Sequence, residues 1–266
     1  MRTYAKDGSI NETLILTTID KHYFKDLDDN WKRHIKRMFK TVKDDDYIRA
    51  NYYEYKDAKP DIVITINNRK ILLSIKSGRS PCMHQEPIYT FFEFLRKNDV
   101  PQRIIKIIAF YHYGYSLTKH VSDHVLSREE IIATYPKEIQ EVNDYFNKHT
   151  SLITEIIYRT IIKGRLDRDL IDFLYYGNAN KGFLLSISDI IRLIISVPVN
   201  IDQTLAFRQL TYISCARKPD NPKRHNLKIH WPILCEWFYE PEFMKKYGWQ
   251  KQILLFKENY KIDIIY

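Results

Sequence analysis

Two short segments rich in Ile, Leu and Val, residues 61–66 and 70–76, flank the turn-forming sequence Asn67-Asn68-Arg69. β-Branched residues favour strands, and asparagine tolerates the backbone conformations of tight turns, so this pattern predicts a β-hairpin. Both faces of the predicted hairpin are largely apolar, which is typical of strands that helices cover on both sides. The hairpin therefore favours an α/β fold.

The rest of the N-terminal half supplies elements around this hairpin. Residues 9–12, Ser-Ile-Asn-Glu, have the pattern of a capping box that starts a helix at Ser9. Residues 103–111 are rich in Ile and predict a fourth strand. The connection to it from the strand at 70–76 is long enough for a right-handed crossover. The predicted elements are helices at 9–25 and 28–42, strands at 47–55, 61–66 and 70–76, a helix at 86–97 and a strand at 103–111.

The C-terminal half predicts a mixed α+β region. Its predicted elements are helices at 128–135, 137–147, 151–163 and 188–196, and strands at 210–216, 227–231 and 252–256. A boundary at residues 113–119 divides the chain into a core at 1–113 and a C-terminal extension at 114–266, which would hold a substrate or a partner.

The charge balance and the cysteines indicate the kind of partner and the cellular location of the protein. Lys and Arg number 42 against 33 Asp and Glu, a net charge of +9, which suits a polyanionic partner. The three cysteines, Cys82, Cys215 and Cys235, form no CxxC pair and no even set, so the pattern predicts neither a zinc knuckle nor a disulfide framework. It predicts a reducing, cytoplasmic location. The most apolar stretch, 183–199, is interrupted by charges, so no membrane segment is predicted.

Three polar side chains stand at one end of the predicted hairpin. Asp61 follows Pro60, and Ser74 and Lys76 lie near the end of the next strand, on one face. A turn centred on residues 68 and 69 would pair Asp61 with Lys76, whereas a turn centred on 67 and 68 would pair it with Ser74. The three groups cluster in either register. Because a Lys and an Asp are costly between covering layers, this cluster is the candidate site.

Pro60-Asp61, followed after a gap by Ser74-Ile75-Lys76 in an apolar strand, resembles the motif of the PD-(D/E)xK nuclease superfamily. That superfamily includes many restriction endonucleases and the archaeal Holliday junction resolvases. Its restriction-endonuclease-like core, in the order helix, three strands, helix and strand, is similar to the order predicted for residues 9–111. Ser74 departs from the pattern, since the family usually has Asp or Glu there.

The resemblance implies Mg²⁺-dependent hydrolysis of DNA phosphodiester bonds, with Mn²⁺ as an alternative metal. Asp61 would be the main metal ligand, helped by the backbone carbonyl of Ile75, and Lys76 would orient the attacking water or offset negative charge. Ser74 would support them with a neutral hydroxyl. Glu12 matches the place of a glutamate that joins the site in several members, and Glu86 is the alternative second carboxylate.

Three of these residues also have a purely structural interpretation. Glu12 would complete the capping box, and Glu86 would be an exposed first-turn carboxylate that the helix dipole favours. Lys76 would be a strand-end lysine that reaches water.

Basic residues on the second predicted helix and in the stretch 207–230 are the candidates for substrate contact. They are Lys32, Lys36, Arg217, Lys218, Lys223 and Arg224. Phosphate contact and a solvated basic surface are the two interpretations. DNA is the expected partner and RNA the alternative, and a homodimer would suit cleavage of both strands of a duplex.

Three function hypotheses follow from the sequence. The first is a metal-dependent endonuclease. The second keeps the fold and drops catalysis, giving a nucleic-acid-binding or protein-binding module in which Ser74 marks the loss of the metal site. The third is an interaction protein whose basic loop meets an acidic partner.

Overall fold

The chain has a mixed α/β fold. The computed structural model describes residues 4–55, 58–78, 82–114, 125–164, 169–196, 204–218 and 220–239. Its helices are α1 (Tyr4–Ile19), α2 (Asp29–Met38), α3 (Ile88–Lys97), α4 (Gln102–Tyr113), α5 (Arg128–Thr134), α6 (Pro136–Lys148), α7 (Thr150–Ile157), α8 (Ile187–Ser196) and α9 (Pro232–Tyr239). Its strands are β1 (His22–Tyr23), β2 (Tyr47–Tyr52), β3 (Ile62–Ile66), β4 (Arg69–Lys76), β5 (Cys82–Pro87), β6 (Phe173–Gly177), β7 (Gly182–Ser186), β8 (Ala206–Phe207), β9 (Leu210–Ser214) and β10 (Asn226–His230). None of the described helices is both long enough and apolar enough to cross a membrane.

Two compact units interleave along the described chain. Unit 1 lies within Met1–Pro81, Ile161–Arg192 and Ile233–Tyr266, and unit 2 lies within Cys82–Thr160 and Leu193–Pro232. The boundary predicted at residues 113 and 114 falls at the end of α4, inside unit 2. Because the chain leaves unit 1 after β4 and contributes to it again from residue 161, no single cut along the sequence separates the two units.

Unit 1 is built on a six-stranded sheet with the order β1-β2-β3-β4-β6-β7. The predicted hairpin is β3–β4, and its turn is Asn67-Asn68, with φ angles of 47° and 64°. Two consecutive left-handed residues make a turn whose twist matches that of the flanking strands, and asparagine is one of the few residues that adopt this conformation readily. β4 and β6 pair in parallel, while the other neighbours in this sheet are antiparallel.

Helices α1 and α2 supply most of the helical part of the core of unit 1. Ile15 and Ile19 of α1 and Trp31 of α2 are fully buried in one cluster with the inward residues of β3. The Trp31 ring stacks on that of Tyr175 with centroids 5.0 Å apart, and its Nε1 donates a hydrogen bond to the carbonyl of Ala179 at 2.8 Å. These contacts tie α2 to β6 and to the turn that follows it.

Unit 2 contains a four-stranded antiparallel sheet with the order β5-β10-β9-β8. Aromatic side chains fill its core. The Phe207 ring lies 4.5 Å from that of Phe146 and 5.6 Å from that of Phe91, measured between centroids. All three side chains are buried, so α3 and α6 pack against β8 through them.

The strand predicted at 103–111 is wrong, because these residues form α4. Pro101 precedes the helix, and Gly114, with a φ of 74°, ends it in the left-handed conformation. Ile104, Ile105, Ile107 and Ile108 are all buried. When a helix is apolar around most of its circumference, its sequence lacks the one-sided apolar pattern that distinguishes helices. Such a sequence cannot be told from that of a buried strand by periodicity alone.

Other predicted boundaries also shift. α1 begins at Tyr4, so Ser9 lies inside the helix and is not its N-cap. Glu86 ends β5, and the helix predicted at 86–97 begins two residues later. Strands β1, β5, β6, β7 and β8 were not predicted, and the strand predicted at 252–256 lies outside the described residues.

The N-cap of α2 gives a direct test of the unit 1 fold. Asp28 accepts a hydrogen bond from the Trp31 amide at 2.8 Å. Asp28→Ala should lower the free energy of unfolding by about 1 kcal/mol, since it leaves this amide without its cap. Asp28→Asn should retain most of the stability, because asparagine caps about equally well. Urea unfolding of both variants measures this, and equal losses would contradict the capping role.

Candidate active site

The register of the hairpin brings Asp61 to Ser74. Ile62 pairs with Leu73 and Ile66 with Arg69, so the same register places Asp61 opposite Ser74. This is the register expected for a turn at residues 67 and 68, and the pairing of Asp61 with Lys76 is not adopted. The predicted clustering of Asp61, Ser74 and Lys76 is confirmed, because both of the latter contact the Asp61 carboxylate.

One oxygen of the Asp61 carboxylate takes three hydrogen bonds. Oδ2 accepts from Ser74 Oγ at 3.0 Å, from the Ile75 backbone amide at 2.5 Å and from Lys76 Nζ at 3.1 Å. No described residue donates a hydrogen bond to Oδ1. About a fifth of the side chain is exposed. The carboxylate is thus held rigidly through one oxygen, while the other keeps its capacity to bind a ligand.

The Lys76 ammonium bridges two oxygens of the cluster. Besides Asp61 Oδ2, its Nζ donates to the Ile75 carbonyl at 2.8 Å. These are a carboxylate and a carbonyl that the family resemblance implies as metal ligands. The ammonium therefore donates hydrogen bonds to the same oxygens that would hold a metal. A metal would have to displace the Lys76 ammonium or share these oxygens with it.

Glu12 is placed beside this cluster by its neighbours in α1. Asn11 Nδ2 donates to the Gly177 carbonyl at 2.9 Å, which binds α1 to the end of β6. The hydroxyls of Thr13 and Tyr52 lie 2.6 Å apart, which binds α1 to the end of β2. Burial, and then the negative charge of Asp61, raise the pKa of the Glu12 carboxyl, while Lys76 opposes this. Because α1 begins at Tyr4, Glu12 is in mid-helix and completes no capping box at Ser9.

The donor set suits a hard cation. The Glu12 and Asp61 carboxylates and the Ile75 carbonyl are oxygen ligands, and Mg²⁺ typically takes one or two carboxylates and completes its shell with water and phosphate. Ser74 keeps its hydroxyl on Asp61 and adds no charge. Within the described ranges, no three His, Cys, Asp or Glu side chains group closely enough to hold a metal by themselves. The residues therefore fit Mg²⁺ that shares its shell with a substrate.

Glu86 has a different role from the two that the sequence suggested. It is 2% exposed, so the prediction of an exposed first-turn carboxylate is wrong. Inside unit 2, Arg159 contacts both of its oxygens, at 2.9 Å from Nε and 2.5 Å from Nη2. Its carboxylate is thus committed to a buried ion pair. Glu12, whose pKa the nearby Asp61 charge helps to raise, therefore remains the candidate for the second carboxylate.

The basic candidates divide into exposed and committed side chains. Arg217 donates to the backbone carbonyls of Leu126 and Tyr111 at 2.8 and 2.7 Å, so its guanidinium holds the fold of unit 2 together. Arg224 is partly buried over the Tyr113 ring. Lys36, Lys218 and Lys223 are exposed, and Lys32 is partly exposed. Phosphate contact is thus a prediction that rests on these four lysines.

Tyr53 is a neighbour of the site that the sequence analysis missed. Tyr52 pairs with Ile62, and the Tyr53 amide donates to the Asp61 carbonyl at 3.0 Å, so Tyr53 lies opposite Asp61 in the ladder. The cluster of tyrosines at 52, 53 and 55 was visible in the sequence, but the pairing of 53 with 61 depends on a register between two separate strands.

In comparisons with known proteins, no protein-family model matches the chain and no curated protein matches it. The function proposed below therefore rests on the sequence and on the geometry of the site.

Proposed function

We propose that unit 1 is a metal-dependent nuclease that hydrolyses DNA phosphodiester bonds, with a core of the PD-(D/E)xK type. The observation that carries this proposal is the set of contacts at Asp61. Its Oδ2 accepts hydrogen bonds from Ser74, Ile75 and Lys76, and Glu12 is close enough for the Asp61 charge to raise its pKa. A carboxylate pair can hold the metal that activates water, and an adjacent lysine can offset the charge that develops on phosphate, so this set of groups suits phosphodiester hydrolysis.

The topology of unit 1 supports the same proposal. A helix, α1, precedes the meander β2-β3-β4, and the last of these strands pairs in parallel with β6. The helix, the three-strand meander and the further strand are similar to the order that the resemblance implies, with β6 in the place expected for residues 103–111. β1 and α2 lie between α1 and β2, and α3, which corresponds to the helix predicted at 86–97, belongs to unit 2. The connection from β4 to β6 includes the first segment of unit 2.

The residues divide the chemistry among them. Asp61, Glu12 and the Ile75 carbonyl would hold Mg²⁺ or Mn²⁺, which supplies Lewis acidity and makes bound water easier to deprotonate. Lys76 would orient the attacking water and offset the charge that develops on phosphate. Water attacks phosphorus and gives up one proton to solvent, the bond from phosphorus to one sugar oxygen breaks, and that oxygen takes up a proton from solvent. Ser74 keeps Asp61 in place.

Cleavage assays test the proposal directly. The full chain would be incubated with labelled DNA and RNA, each in single-stranded and duplex form, in Mg²⁺, in Mn²⁺ and in EDTA. We expect DNA cleavage that requires the metal. Cleavage of RNA alone would replace the proposed substrate, and an absence of cleavage with all four substrates would overturn the nuclease proposal. Measuring the molecular mass in solution tests the expected homodimer.

Lys76→Met should raise the affinity for Mn²⁺ by about tenfold or more while it lowers the rate of cleavage. The variant removes a positive charge that lies 3.1 Å from Asp61 Oδ2 and 2.8 Å from the Ile75 carbonyl, so a metal no longer competes with it. Titration calorimetry with Mn²⁺ measures the affinity. Lys70→Met, at an exposed position of β4, is the matched control and should bind Mn²⁺ like the wild type. An unchanged affinity in the Lys76 variant would contradict the competition.

A second candidate function is a nucleic-acid-binding module without catalysis. Two observations favour it: Ser74 is neutral where a second acid would bind metal, and the described residues lack a three-membered ligand group. It predicts nucleic-acid binding that is insensitive to EDTA, without cleavage.

A further inference from the structure

Tyr53 adjoins the candidate active site through its backbone. It follows Tyr52, the last residue of β2, and its amide donates a hydrogen bond at 3.0 Å to the carbonyl of Asp61, the residue that precedes β3. On the other side of Asp61 the register places Ser74, and Lys76 shares its face because strand side chains alternate. Asp61 is therefore bound by the backbone of an aromatic residue on one side and by the side chain of Lys76 on the other.

The Tyr53 ring is fixed in place and is extended by a second ring. Its hydroxyl donates to the carboxylate of Asp169. The Tyr55 ring lies 5.7 Å from it between centroids, at an interplanar angle of 60°. Tyr55 is 46% exposed. The pair thus offers a supported aromatic surface to a ligand beside Asp61.

A third tyrosine borders the site on the opposite face of β2. Tyr52 must point away from Tyr53, because side chains alternate along a strand, and its hydroxyl contacts that of Thr13, the residue next to Glu12. Half of the Tyr52 side chain is exposed. Exposed tyrosine rings therefore lie at α1, next to Thr13, and at the chain segment that follows β2.

We propose that Tyr53 and Tyr55 stack an unpaired base next to the phosphodiester that is cleaved, so the preferred substrate of unit 1 is single-stranded nucleic acid or an unpaired segment. This inference rests on the proposed nuclease function. A tyrosine ring can stack on a base only where the face of the base is free, and in a duplex each base covers the faces of its neighbours. The net charge of +9 favours the polyanionic backbone of the same strand.

Fluorescence anisotropy with a labelled short oligothymidylate, and with a duplex of the same length, tests the inference on the full chain in EDTA. Removing metal stops cleavage, so binding is read separately. We expect the single strand to bind more tightly. Tyr55→Ala should lower its affinity by about 5- to 150-fold, the loss that corresponds to one stacked base. Tyr55→Phe keeps the ring and should bind like the wild type.

Tyr89→Ala is the matched control, since Tyr89 is a more exposed tyrosine, at 61%, in unit 2. It should leave the affinity unchanged, and thermal unfolding verifies that the Tyr55 variants are folded. Equal affinity for the two DNA forms, or normal binding by a folded Tyr55→Ala variant, would overturn the inference. If binding behaves as expected but metal restores no cleavage, the nuclease proposal fails while the stacking surface stands.

Discussion

Asp61→Asn is expected to abolish metal-dependent cleavage, with a loss of at least about 10³-fold in the single-turnover rate. Metal binding and activation of water supply several kcal/mol of transition-state stabilisation, and each 1.36 kcal/mol corresponds to a factor of ten. Asparagine preserves the size of the side chain, but it removes the negative charge that pairs with Lys76 and that would hold the proposed metal. Its carbonyl oxygen can still accept the three hydrogen bonds in the position of Oδ2, while its NH2 group, a donor, takes the position of Oδ1 and cannot bind a metal.

A matched control separates this effect from the loss of one negative charge. Asp45 lies in unit 1 with an 84% exposed side chain, and it pairs only with an exposed lysine among the described residues. Asp45→Asn changes the net charge equally and should leave cleavage within about twofold of the wild type. A folded Asp61→Asn variant that cleaves as fast as Asp45→Asn would remove Asp61 from the proposed mechanism.

Glu86→Ala is expected to destabilise unit 2 by about 3–5 kcal/mol. The Glu86 side chain is fully buried, and its carboxylate contacts Arg159, Thr90 and His84. Removing it leaves the Arg159 guanidinium, whose side chain is 16% exposed, without its counter-charge. Urea unfolding measures the change. The double variant Glu86→Leu/Arg159→Met removes both charges and should be considerably more stable than Glu86→Ala, because no charge remains buried without a partner.

Acid unfolding provides an independent readout of the same ion pair. Burial opposes ionisation of Glu86, but hydrogen bonds from His84, Arg159 and Thr90 outweigh it and lower its pKa from 4.5 to about 2. A depressed folded-state pKa stabilises the fold above the unfolded-state value, and this contribution is lost as pH falls from about 4.5 toward 2. Glu86→Gln should therefore lose less stability than the wild type over this range. Identical pH profiles would show that Glu86 does not carry the effect.

Much of unit 1 was predictable because its signals are local. The turn residues Asn67 and Asn68 and the apolar strands around them predict the hairpin, and the hairpin alone brings Asp61 to Ser74 and Lys76. α2 follows equally from its sequence, since Asp28 caps it and its apolar residues lie on one stripe. In each case the interacting groups are few residues apart, so propensity and periodicity contain the information.

The rest depends on contacts between segments that are distant in the chain. Residues 103–111 form a helix because their isoleucines are buried on several sides, a pattern that a covered strand would share. The parallel partner of β4 is β6, about 100 residues further along the chain, and not residues 103–111. A parallel pair is not joined by a short turn, so no turn residues in the sequence predict this pairing.

The sequence by itself determined the hairpin, its turn and the three polar side chains at its end, because alternation and turn chemistry act over a few residues. The tertiary structure decided which other groups join them. Packing of α1 on the sheet brings Glu12 toward Asp61, the β2–β3 register sets Tyr53 beside it, and the fold of unit 2 buries Glu86 against Arg159. Each of these outcomes is set by burial and long-range pairing, which favour a residue only once its distant partner is in place.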